Sequence, residues 1–522
     1  MKREELIQKV QETPLWDIII VGGGASGMGA AVDAASRGYR TLLLEQVDFS
    51  KGTSSRSTKL VHGGVRYLQQ GNISLVREAL YERGLLYQNA PQLVTDLPFV
   101  VPRYSWWEGP FYGIGLKLYD LLAGRLNLAP SRTLNAEETV QAIPNLEAEG
   151  LYGGTEYHDG QFDDSRMCVT LARTAIDLGG VVLNHAQVTN LARGEDGHVA
   201  GVQFCDQITG QEHSVRSRVV INATGVFSDA IRRMDDADIE PIIEPSRGVH
   251  LVLDASFLKG NTAIMVPYTD DGRVLFVIPW HDHCLVGTTD QQTPEPLLEP
   301  RATDEEIEFI LRNAARYMSR DPQRSDVLSL FAGLRPLIKK GGTDTKNISR
   351  EHEVIVSRGG LVSVVGGKWT TYRNMAQDVI DHAADVGGLE PRKCITESLR
   401  LRGWVDRNDV NMPQENWLRP YGADAAEVHS VCDTVQRGKE PLHGALPYPR
   451  GLVIHAARYE WARTVEDVLA RRTRALFLNA AAAAEAAEEV AQMLAGELGY
   501  KASWAKQQAG QFRQLAQGYQ LS

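Results

Sequence analysis

The sequence is poor in cysteine, and its cysteines are far apart. Only five occur in 522 residues, and no two of them stand in a Cys-x-x-Cys pair. An odd number of scattered cysteines indicates neither a disulfide framework nor a cysteine-ligated iron–sulfur cluster. Any electrons that this protein handles must therefore leave directly from an organic cofactor.

Long apolar runs and an excess of basic residues are also missing. No apolar run approaches the ~20 residues that span a bilayer, and the nearest candidate, residues 111–123, contains Lys117 and Asp120. The net charge of -11 gives no reason to expect nucleic acid as a partner. The opening segment MKREELIQKV lacks the apolar stretch of a secretory signal. We therefore expect a cytoplasmic protein that does not bind nucleic acid.

What the sequence does contain is an ordinary globular composition, with 43% hydrophobic and 23% charged residues. A chain of this length should divide into about two to four domains. The segment His281-Asp-His283-Cys284 offers metal-ligating side chains, but it falls between two strand-like runs. A hairpin turn is the better interpretation, and we predict no metal site.

The segment from Asp17 to Glu45 is the most informative one. It contains, in order, a buried strand, a glycine turn, an alanine-rich helix and a second strand that ends in a carboxylate. Gly22, Gly24 and Gly27 would let the backbone turn tightly and approach a pyrophosphate at the positive N-terminal end of the helix. Glu45 would accept hydrogen bonds from ribose hydroxyls. The pattern predicts a dinucleotide site, and a glycine turn that only joins strand to helix is the alternative.

Two later segments point back to the same site. Residues 218–225 form an apolar strand that ends in small residues, as is needed where a backbone passes close to a cofactor. Residues 361–371 combine a strand, a glycine pair and a helix start, whose N-terminus would stabilise negative charge on a flavin ring. The fingerprint alone does not distinguish NAD from FAD. A second glycine-rich nucleotide motif is missing, so a flavin here would take its electrons from the substrate.

The strands between these segments have the alternation of an antiparallel sheet with one wet face, as at residues 250–253, 273–278 and 285–289. Such a layer is not part of a nucleotide fold, so we expect it to be inserted into a discontinuous cofactor domain. After residue 403 helical patterns predominate. The predicted domains are a cofactor-binding domain of residues 15–75, 152–230 and 352–390, a substrate or cap domain of 76–151 and 231–351, and a helical C-terminal domain of 400–522.

Five further motifs occur in a fixed order: Gly52–Leu68 (GTSSRSTKLVHGGVRYL), Ile278-Pro-Trp280, Gly287-Thr-Thr-Asp290, Gly333-Leu-Arg-Pro336 and Gly366–Arg373 (GGKWTTYR). Together they resemble the FAD-dependent glycerol-3-phosphate dehydrogenases, which are flavoproteins of the D-amino-acid-oxidase-like superfamily. The match covers roughly residues 15–385, and the helical tail is similar to that family's C-terminal domain. The resemblance implies an α/β plus α+β fold, with a Rossmann-like FAD-binding domain, an inserted antiparallel-sheet substrate domain and a helical C-terminal domain.

The resemblance also implies a reaction, the oxidation of sn-glycerol 3-phosphate to dihydroxyacetone phosphate. FAD would take the hydride at N5 and pass the electrons to a membrane quinone. The residue chemistry agrees, because a phosphate dianion needs several fixed cations and arginine forks suit it. By resemblance, the substrate-binding residues are Arg66, Tyr67, His250, Arg335, Arg350 and Lys368.

Oxidation of a secondary alcohol also requires a group that takes the hydroxyl proton. His62, in the stretch that resembles a flavin-contacting loop, is the first choice as base, and His250 is the second. We group Arg335 with His62 as the expected catalytic residues. A satisfied structural histidine is the alternative for each imidazole.

The residues expected to hold FAD come from the glycine turn, the loop after it and the two later segments. Ser57, Thr58 and Lys59 are expected, by resemblance, to hold flavin phosphates or ribityl oxygens. The full set is Gly22, Gly24, Ala25, Ser26, Gly27, Glu45, Thr53, Ser57, Thr58, Lys59, His62, Ala223, Gly225, Gly367, Lys368, Trp369 and Thr370.

Three other functions remain open at this point. The first is a glycerol-3-phosphate oxidase that gives its electrons to oxygen and releases peroxide. The second is a relative that oxidises an amino acid or a 2-hydroxy acid, although the number of candidate arginines argues against a lone carboxylate. The third is a flavin-binding scaffold or sensor without turnover.

A quinone acceptor lies in lipid, so the protein should touch a bilayer without spanning it. We therefore expect peripheral association with the inner face of the cell membrane, and a homodimer is compatible with the sequence. The candidate contacts are the aromatic segment Trp106–Leu122 and the basic residues Arg471, Arg472 and Arg474. Core packing and a solvated helix face are the respective alternatives.

Overall fold

The computed structural model describes residues 1–69, 71–105, 108–339 and 352–521, without the side chains of residues 66, 69 and 108–111. Its strands are β1 (Trp16–Val21), β2 (Thr41–Leu44), β3 (Leu60–Val61), β4 (Val94–Arg103), β5 (Arg132–Leu134), β6 (Gly153–Phe162), β7 (Val181–Leu183), β8 (Ala186–Arg193), β9 (Val199–Asp206), β10 (Gln211–Asn222), β11 (Ile243–Asp254), β12 (Ala263–Val266), β13 (Leu275–Trp280), β14 (His283–Gly287), β15 (Gln291–Gln292), β16 (Val327–Ile338), β17 (His352–Val356) and β18 (Val362–Gly366).

Helices separate these strands and predominate towards the end of the chain. They are α1 (Arg3–Glu12), α2 (Ala25–Ser36), α3 (Val65–Gln69), α4 (Ile73–Asn89), α5 (Glu108–Ala123), α6 (Ala136–Ala142), α7 (Asp164–Asp177), α8 (Ser228–Asp235), α9 (Asp304–Ala315), α10 (Tyr372–Val386), α11 (Ala425–Thr434), α12 (Gly451–Tyr459), α13 (Ala475–Leu478), α14 (Ala480–Leu498) and α15 (Ala502–Gln517).

The first sheet has eight strands in the part of the chain that the structure describes, and its core is parallel. β1 lies between β2 and β10, and β7 and β18 extend the parallel set on either side. Ile18, Ile19 and Ile20 are fully buried, as a strand covered on both faces requires. The antiparallel pair β8–β9 and the edge strand β17 complete the sheet. This arrangement confirms the predicted Rossmann-like domain, which is built from discontinuous segments.

The second sheet has ten strands within the described ranges, and it is antiparallel except where β4 pairs with β12. Its longest pairing joins β11 to β16. β13 and β14 form a hairpin whose turn residues, His281 and Asp282, have φ of +45° and +57°. The structure therefore confirms both the inserted sheet and the hairpin that the sequence predicted.

Two strands lie in a different sheet from the one that the predicted domain boundaries imply. β3 and β6 fall within segments assigned to the cofactor-binding domain, but both belong to the second sheet. The reason is pairing, since β6 runs antiparallel to β4 along its whole length from Val94↔Phe162 to Arg103↔Gly153. The chain thus crosses between the layers more often than the boundaries predicted, and the division into domains stays a prediction.

The C-terminal region is helical, as predicted, and it packs closely on both sheets. Leu476 and Phe477 of α13 share an apolar cluster with Trp280 and Phe331 of the second sheet. At the start of the chain, α1 is tied down by Arg3, which donates to the Asn184 carbonyl and to the Asp206 carboxylate. Both α13 and α1 are therefore held firmly against the rest of the fold.

The prediction of a basic membrane-facing surface at Arg471, Arg472 and Arg474 is wrong. All three side chains are buried. Arg471 and Arg472 both bind the carboxylate of Asp48, and Arg474 donates to the Ser55 carbonyl. The segment Asp467–Arg472 is a π-helical turn that directs these arginines inward. Their charges serve internal ion pairs, which a local sequence pattern does not reveal.

Candidate active site

A cavity of about 570 Å³ lies where the carboxyl ends of β1, β2, β10 and β18 face the second sheet. This is the position at which open parallel sheets bind their ligands. Among the described residues, the wall from the first sheet carries the glycine turn and the two later segments, and the wall from the second sheet carries His250, Phe276 and Arg335. Sequence segments more than 300 residues apart therefore meet around one space.

The glycine turn is shaped by close backbone contacts. Gly22 has φ of +111°, and a Cβ there would stand 2.6 Å from the carbonyl oxygen of Ala223. A Cβ on Gly27 would stand 1.9 Å from the carbonyl oxygen of Gly22. Gly27 does not line the cavity, but its lack of a side chain lets α2 pack closely against the turn that follows β1. Side chains at either position would push apart the elements that form the cradle.

Glu45 lies at the end of β2, as the fingerprint predicts. Its Oε2 accepts a hydrogen bond from the Gly23 N–H at 2.7 Å, and its Oε1 accepts one from Val47. Burial raises the pKa of its carboxyl, and those two backbone donors oppose the shift. The carboxylate is therefore held in a fixed orientation at the cavity wall, where ribose hydroxyls would find an acceptor.

The loop that follows β2 forms the next part of the wall. The Ser54 hydroxyl accepts the Ala25 N–H at 2.9 Å and so ties this loop to the start of α2. Thr53 donates to the carbonyl of Leu334. Ser57 and Thr58 also line the cavity. The loop therefore connects the nucleotide cradle to the second sheet. The Ser57 hydroxyl itself is engaged by Asp164, to which it donates at 2.7 Å.

Lys59 differs from the prediction. Its side chain is fully buried away from the cavity, and its Nζ donates to Asp164 at 2.7 Å and to the Ser55 carbonyl at 2.8 Å. Burial lowers the pKa of its ammonium to about 7, although Asp164 opposes this shift. The prediction that Lys59 holds flavin phosphates or ribityl oxygens is not supported. Its role is to fasten the loop from behind.

The structure brings His250 into the cavity wall. Its ring stacks on that of Phe331, with centroids 4.9 Å apart, and its Nε2 lies 2.9 Å from the Thr58 hydroxyl oxygen. Its Nδ1 is buried without a hydrogen-bond partner. Burial, with the charges of Lys59 and Arg335, holds the pKa of His250 well below its usual range. The imidazole is therefore neutral at pH 7 and keeps one unused ring nitrogen.

His62 also lies at the cavity, just after β3. Its backbone N–H donates to the Thr370 hydroxyl at 3.1 Å, which joins it to the segment after the glycine pair. Its ring meets the edge of Phe276, with centroids 6.4 Å apart. His62 is only half-buried, so its imidazole is more accessible than that of His250.

Two of the four predicted phosphate-binding cations are placed together by the structure. Arg335 lines the cavity and binds the Thr289 carbonyl at 3.0 Å and Asp290 at 3.2 Å. Lys368 also lines it, with Nζ 3.9 Å from the ring centroid of Tyr67. The Arg66 side chain and the whole of Arg350 lie outside the described residues.

The glycine pair after β18 completes the cradle. Gly366 and Gly367 have φ of +74° and +81°, and a Cβ on Gly367 would meet the sulfur of Met375 at 2.3 Å. Trp369 donates from its indole N–H to the Ser54 carbonyl at 3.0 Å. Of the predicted cofactor residues, all except Gly27 and Lys59 contribute to the cavity wall.

Among the described residues, sequence reasoning missed three cations in the same wall. Arg56 donates to Glu299 at 2.8 Å and to the Tyr519 hydroxyl at 3.1 Å, while Lys51 pairs with Glu299 and Glu466. Arg273, between β12 and β13, is the third. Arg56 lies within the motif Gly52–Leu68 and could have been predicted as a site residue. Nothing in the sequence around Arg273 indicates a role in the site.

The fold and this site together define a flavin-dependent oxidoreductase. Residues 17–373 match the family model of FAD dependent oxidoreductases, and residues 362–507 match the C-terminal domain of alpha-glycerophosphate oxidase. The glycine cradle and the carboxylate of Glu45 fit the group that this family binds, because each is held where a dinucleotide backbone and ribose would lie. The predicted FAD cofactor is thereby confirmed.

More specific similarity extends along nearly the whole chain. A probable mitochondrial glycerol-3-phosphate dehydrogenase of Caenorhabditis elegans is 40% identical, over 96% of this chain and 73% of that protein. The mitochondrial glycerol-3-phosphate dehydrogenase of Homo sapiens is 39% identical, over 99% of this chain and 76% of that protein. A crystal structure of the Bacillus halodurans glycerol-3-phosphate dehydrogenase with FAD superimposes with a TM-score of 0.80 and 28% identity, covering 99% of this chain and 97% of that one. The chain belongs to the FAD-dependent glycerol-3-phosphate dehydrogenase family.

Proposed function

We propose that this enzyme oxidises sn-glycerol 3-phosphate to dihydroxyacetone phosphate and passes the electrons to a membrane quinone. The observation that carries the proposal is that one cavity joins the nucleotide cradle to His62, His250, Arg335 and Lys368. Such a wall offers both a proton acceptor and fixed positive charge to a small phosphorylated alcohol. The family membership supports the same substrate.

Several parts of the chain would hold FAD. The glycine turn and the start of α2 would take the pyrophosphate, Glu45 the ribose, and the loop after β2 the ribityl chain. When bound, FAD supplies the oxidant that accepts a hydride. The residues from Gly366 to Thr370 precede α10, so their backbone N–H groups and the helix dipole would stabilise negative charge on the ring.

The proton of the substrate hydroxyl must leave as the carbon is oxidised, and His62 is our proposed acceptor. It is half-buried at the cavity wall and can return the proton to solvent between turnovers. Neutral His250, which also lines the cavity, would orient the same hydroxyl. Arg335 and Lys368 would bind the phosphate, together with Arg66 and Arg350 as the sequence predicts.

Oxygen is the competing electron acceptor, because the C-terminal match is to a domain named for an oxidase. The direct test is the anaerobic titration of the purified yellow protein with sn-glycerol 3-phosphate, followed by absorbance of the flavin band. We expect stoichiometric bleaching by this substrate and far slower bleaching by glycerol. Rapid mixing of the bleached enzyme with air or with a quinone analogue then identifies the acceptor, and we expect the quinone to react faster. Bleaching by a 2-hydroxy acid alone would contradict the proposal.

We propose that α5 is the contact with the membrane that supplies the quinone. Its buried side packs on α3 and α4, but Ile114 and Leu121 are 72% and 75% exposed, and Leu118 between them is also exposed. Lys117 and Arg125 are exposed on and just after the same helix, as suits an anionic lipid surface. No helix in the described part of the chain is long and apolar enough to cross a bilayer. The enzyme would therefore attach peripherally, at the inner face of the cell membrane.

A further inference from the structure

The loop of residues 267–274, which joins β12 to β13, forms part of the cavity wall that the second sheet contributes. Its backbone is firmly held around Arg273. The Arg273 N–H is shared by Thr269 Oγ1 at 3.0 Å and Asp271 Oδ1 at 3.1 Å, and the Thr269 hydroxyl donates to the Arg273 carbonyl at 2.8 Å. On the outer side, Asp270 forms ion pairs with two arginines at the C-terminal end of α9. Arg273 is therefore presented from a fixed turn.

The side chain of Arg273 is almost entirely enclosed, with 11% of its surface exposed. Its Nε lies 3.1 Å from Asp271 Oδ2, but the alignment is not that of a hydrogen bond, and the buried Nε has no hydrogen-bond partner. The guanidinium makes no hydrogen bond to another residue that the structure describes. Arg335, by contrast, donates to Thr289 and Asp290. The two terminal nitrogens of Arg273 thus remain available to a ligand, whereas its Nε is enclosed beside Asp271.

The neighbours of Arg273 place it close to the reacting groups. Phe276 lies three positions after Arg273 in the sequence, and its ring contacts the ring of His62. Phe276 also pairs across the sheet with Gly287, which pairs in turn with His250. Arg273, Phe276, His62 and His250 all line the cavity. An anion bound by Arg273 would therefore lie within reach of both candidate histidines.

An enclosed guanidinium whose donors are unused is suited to an anion, because its planar fork matches two oxygens of a phosphate or a carboxylate. The alternative is that Arg273 only balances the charge of Asp271, which is partly exposed and also accepts the backbone N–H of the turn. The terminal nitrogens of Arg273 make no hydrogen bond to Asp271, which argues against a purely structural pair, since a dedicated carboxylate partner would accept from that fork.

We propose that Arg273 binds the phosphate of the substrate from the side of the second sheet and so favours phosphorylated over unphosphorylated polyols. This inference rests on the proposed function. Arg273, in the loop between β12 and β13 of the second sheet, thus adds one phosphate-binding cation to those that the sequence motifs predict.

The test compares R273Q, R273K and D271N holoenzymes with the wild type, using a soluble dye as acceptor. For R273Q we expect kcat/KM for sn-glycerol 3-phosphate to fall by about 10- to 100-fold, mainly through KM, because a charged hydrogen bond is lost. Inhibition by inorganic phosphate should weaken by a similar factor, and R273K should recover part of both. Glycerol, which lacks the anion, should be oxidised by R273Q and the wild type at rates that agree within about threefold.

D271N is the matched control, because it removes the charge paired with Arg273 and keeps an oxygen for the backbone of the turn. We expect its kinetics to stay within about threefold of the wild type. Equal losses in D271N and R273Q, or a loss in R273Q for glycerol as large as for the phosphate ester, would overturn the proposal. Failure of the proposed function is recognised separately, since wild-type flavin would then not be bleached by sn-glycerol 3-phosphate at all.

Discussion

Among the described residues, the side chains of two histidines line the cavity, and their surroundings suit them to different tasks. His250 is enclosed, stacks on Phe331 and has a pKa well below its usual range, so it stays neutral and fixed. His62 is half-buried at the end of β3, beside Phe276. A base must give its proton away again in each cycle, and the more accessible imidazole meets that requirement better.

Replacement of His62 by Asn tests this division of roles. Asn keeps a polar side chain of similar size but does not accept a proton, so kcat should fall by about 100-fold or more. The FAD content of the purified protein should stay close to that of the wild type. Turnover is measured with a dye acceptor, and FAD content by absorbance after denaturation. His198→Asn, at an exposed surface position, is the control. A variant that loses FAD and activity together would show a structural role instead.

At this scale, the sequence predicts residues whose function follows from local backbone geometry. Gly22 and Gly367 are examples, since their positive φ and close contacts belong to short turns that a motif defines. Side-chain direction is harder to predict. Ser57 and Lys59 stand in the motif predicted to contact the flavin, but the side chains of both donate to Asp164. Arg273 joins the wall only because the second sheet is folded over the first.

Among the elements, α5 has the most unusual surface. A helix on a globular protein normally buries its apolar side and exposes its polar one. α5 buries Tyr112, Leu116 and Tyr119 but also exposes apolar residues on the other side. An exposed apolar stripe on a helix next to α3, which carries Tyr67 of the cavity wall, is the expected geometry for delivering a lipid-soluble acceptor.

A charge on this stripe should reduce membrane binding. Leu121→Glu places a carboxylate where the apolar side chain would enter the lipid interface, so a smaller fraction of the protein should float with anionic liposomes at low salt. Activity with a soluble dye should be unchanged, while activity with a quinone in the same liposomes should fall. Val410→Glu, at a residue that is 95% exposed elsewhere, adds the same charge as a control. Equal flotation of both variants would exclude α5 as the contact.

The elements also show which patterns the sequence determines well. β1, α2 and β2 occur where the fingerprint places them, because their signals are local. The order of strands in the second sheet could not be predicted. β6 pairs with β4 across a separation of 50 residues at Arg103↔Gly153 and 68 at Val94↔Phe162, and such a register depends on long-range packing that no short motif encodes.

On the scale of the whole molecule, the C-terminal region and the cofactor-binding region are joined by buried ion pairs. Arg471 and Arg472 bind Asp48, Glu466 binds Lys51, and Arg474 binds the Ser55 carbonyl. Each of these contacts falls on the loop that follows β2. The helical region thus supports the cofactor wall, a role that its sequence did not reveal because its arginines resemble a solvated helix face.

These ion pairs should make the holoenzyme sensitive to acid. Although burial alone would raise the pKa of Glu466, the charges of Arg471 and Lys51 lower it to about 2, from a usual value of 4.5. A carboxyl with a lowered folded-state pKa stabilises the protein above its unfolded-state value. That contribution, about 3 kcal/mol, is lost as the pH falls from 4.5 to 2.

Glu466→Gln removes this contribution at neutral pH. We expect its thermal midpoint at pH 7 to be about 3 °C below that of the wild type, and the difference should shrink as the pH approaches 2. Release of FAD, followed by the rise in flavin fluorescence on heating, should report the same shift, because Lys51 lies in the cavity wall. Glu488→Gln, at an exposed ion pair with Arg513, is the control. A difference that is independent of pH would contradict the assignment.

The contact of Tyr519 has a consequence for biosynthesis. Its hydroxyl lies between Arg56 and Glu299, so a residue 463 positions from Arg56 braces the wall formed by the loop after β2. That brace is missing during synthesis until the segment around Tyr519 has left the ribosome. We expect a nascent chain stalled before this point to have its parallel sheet in place and yet to retain flavin poorly.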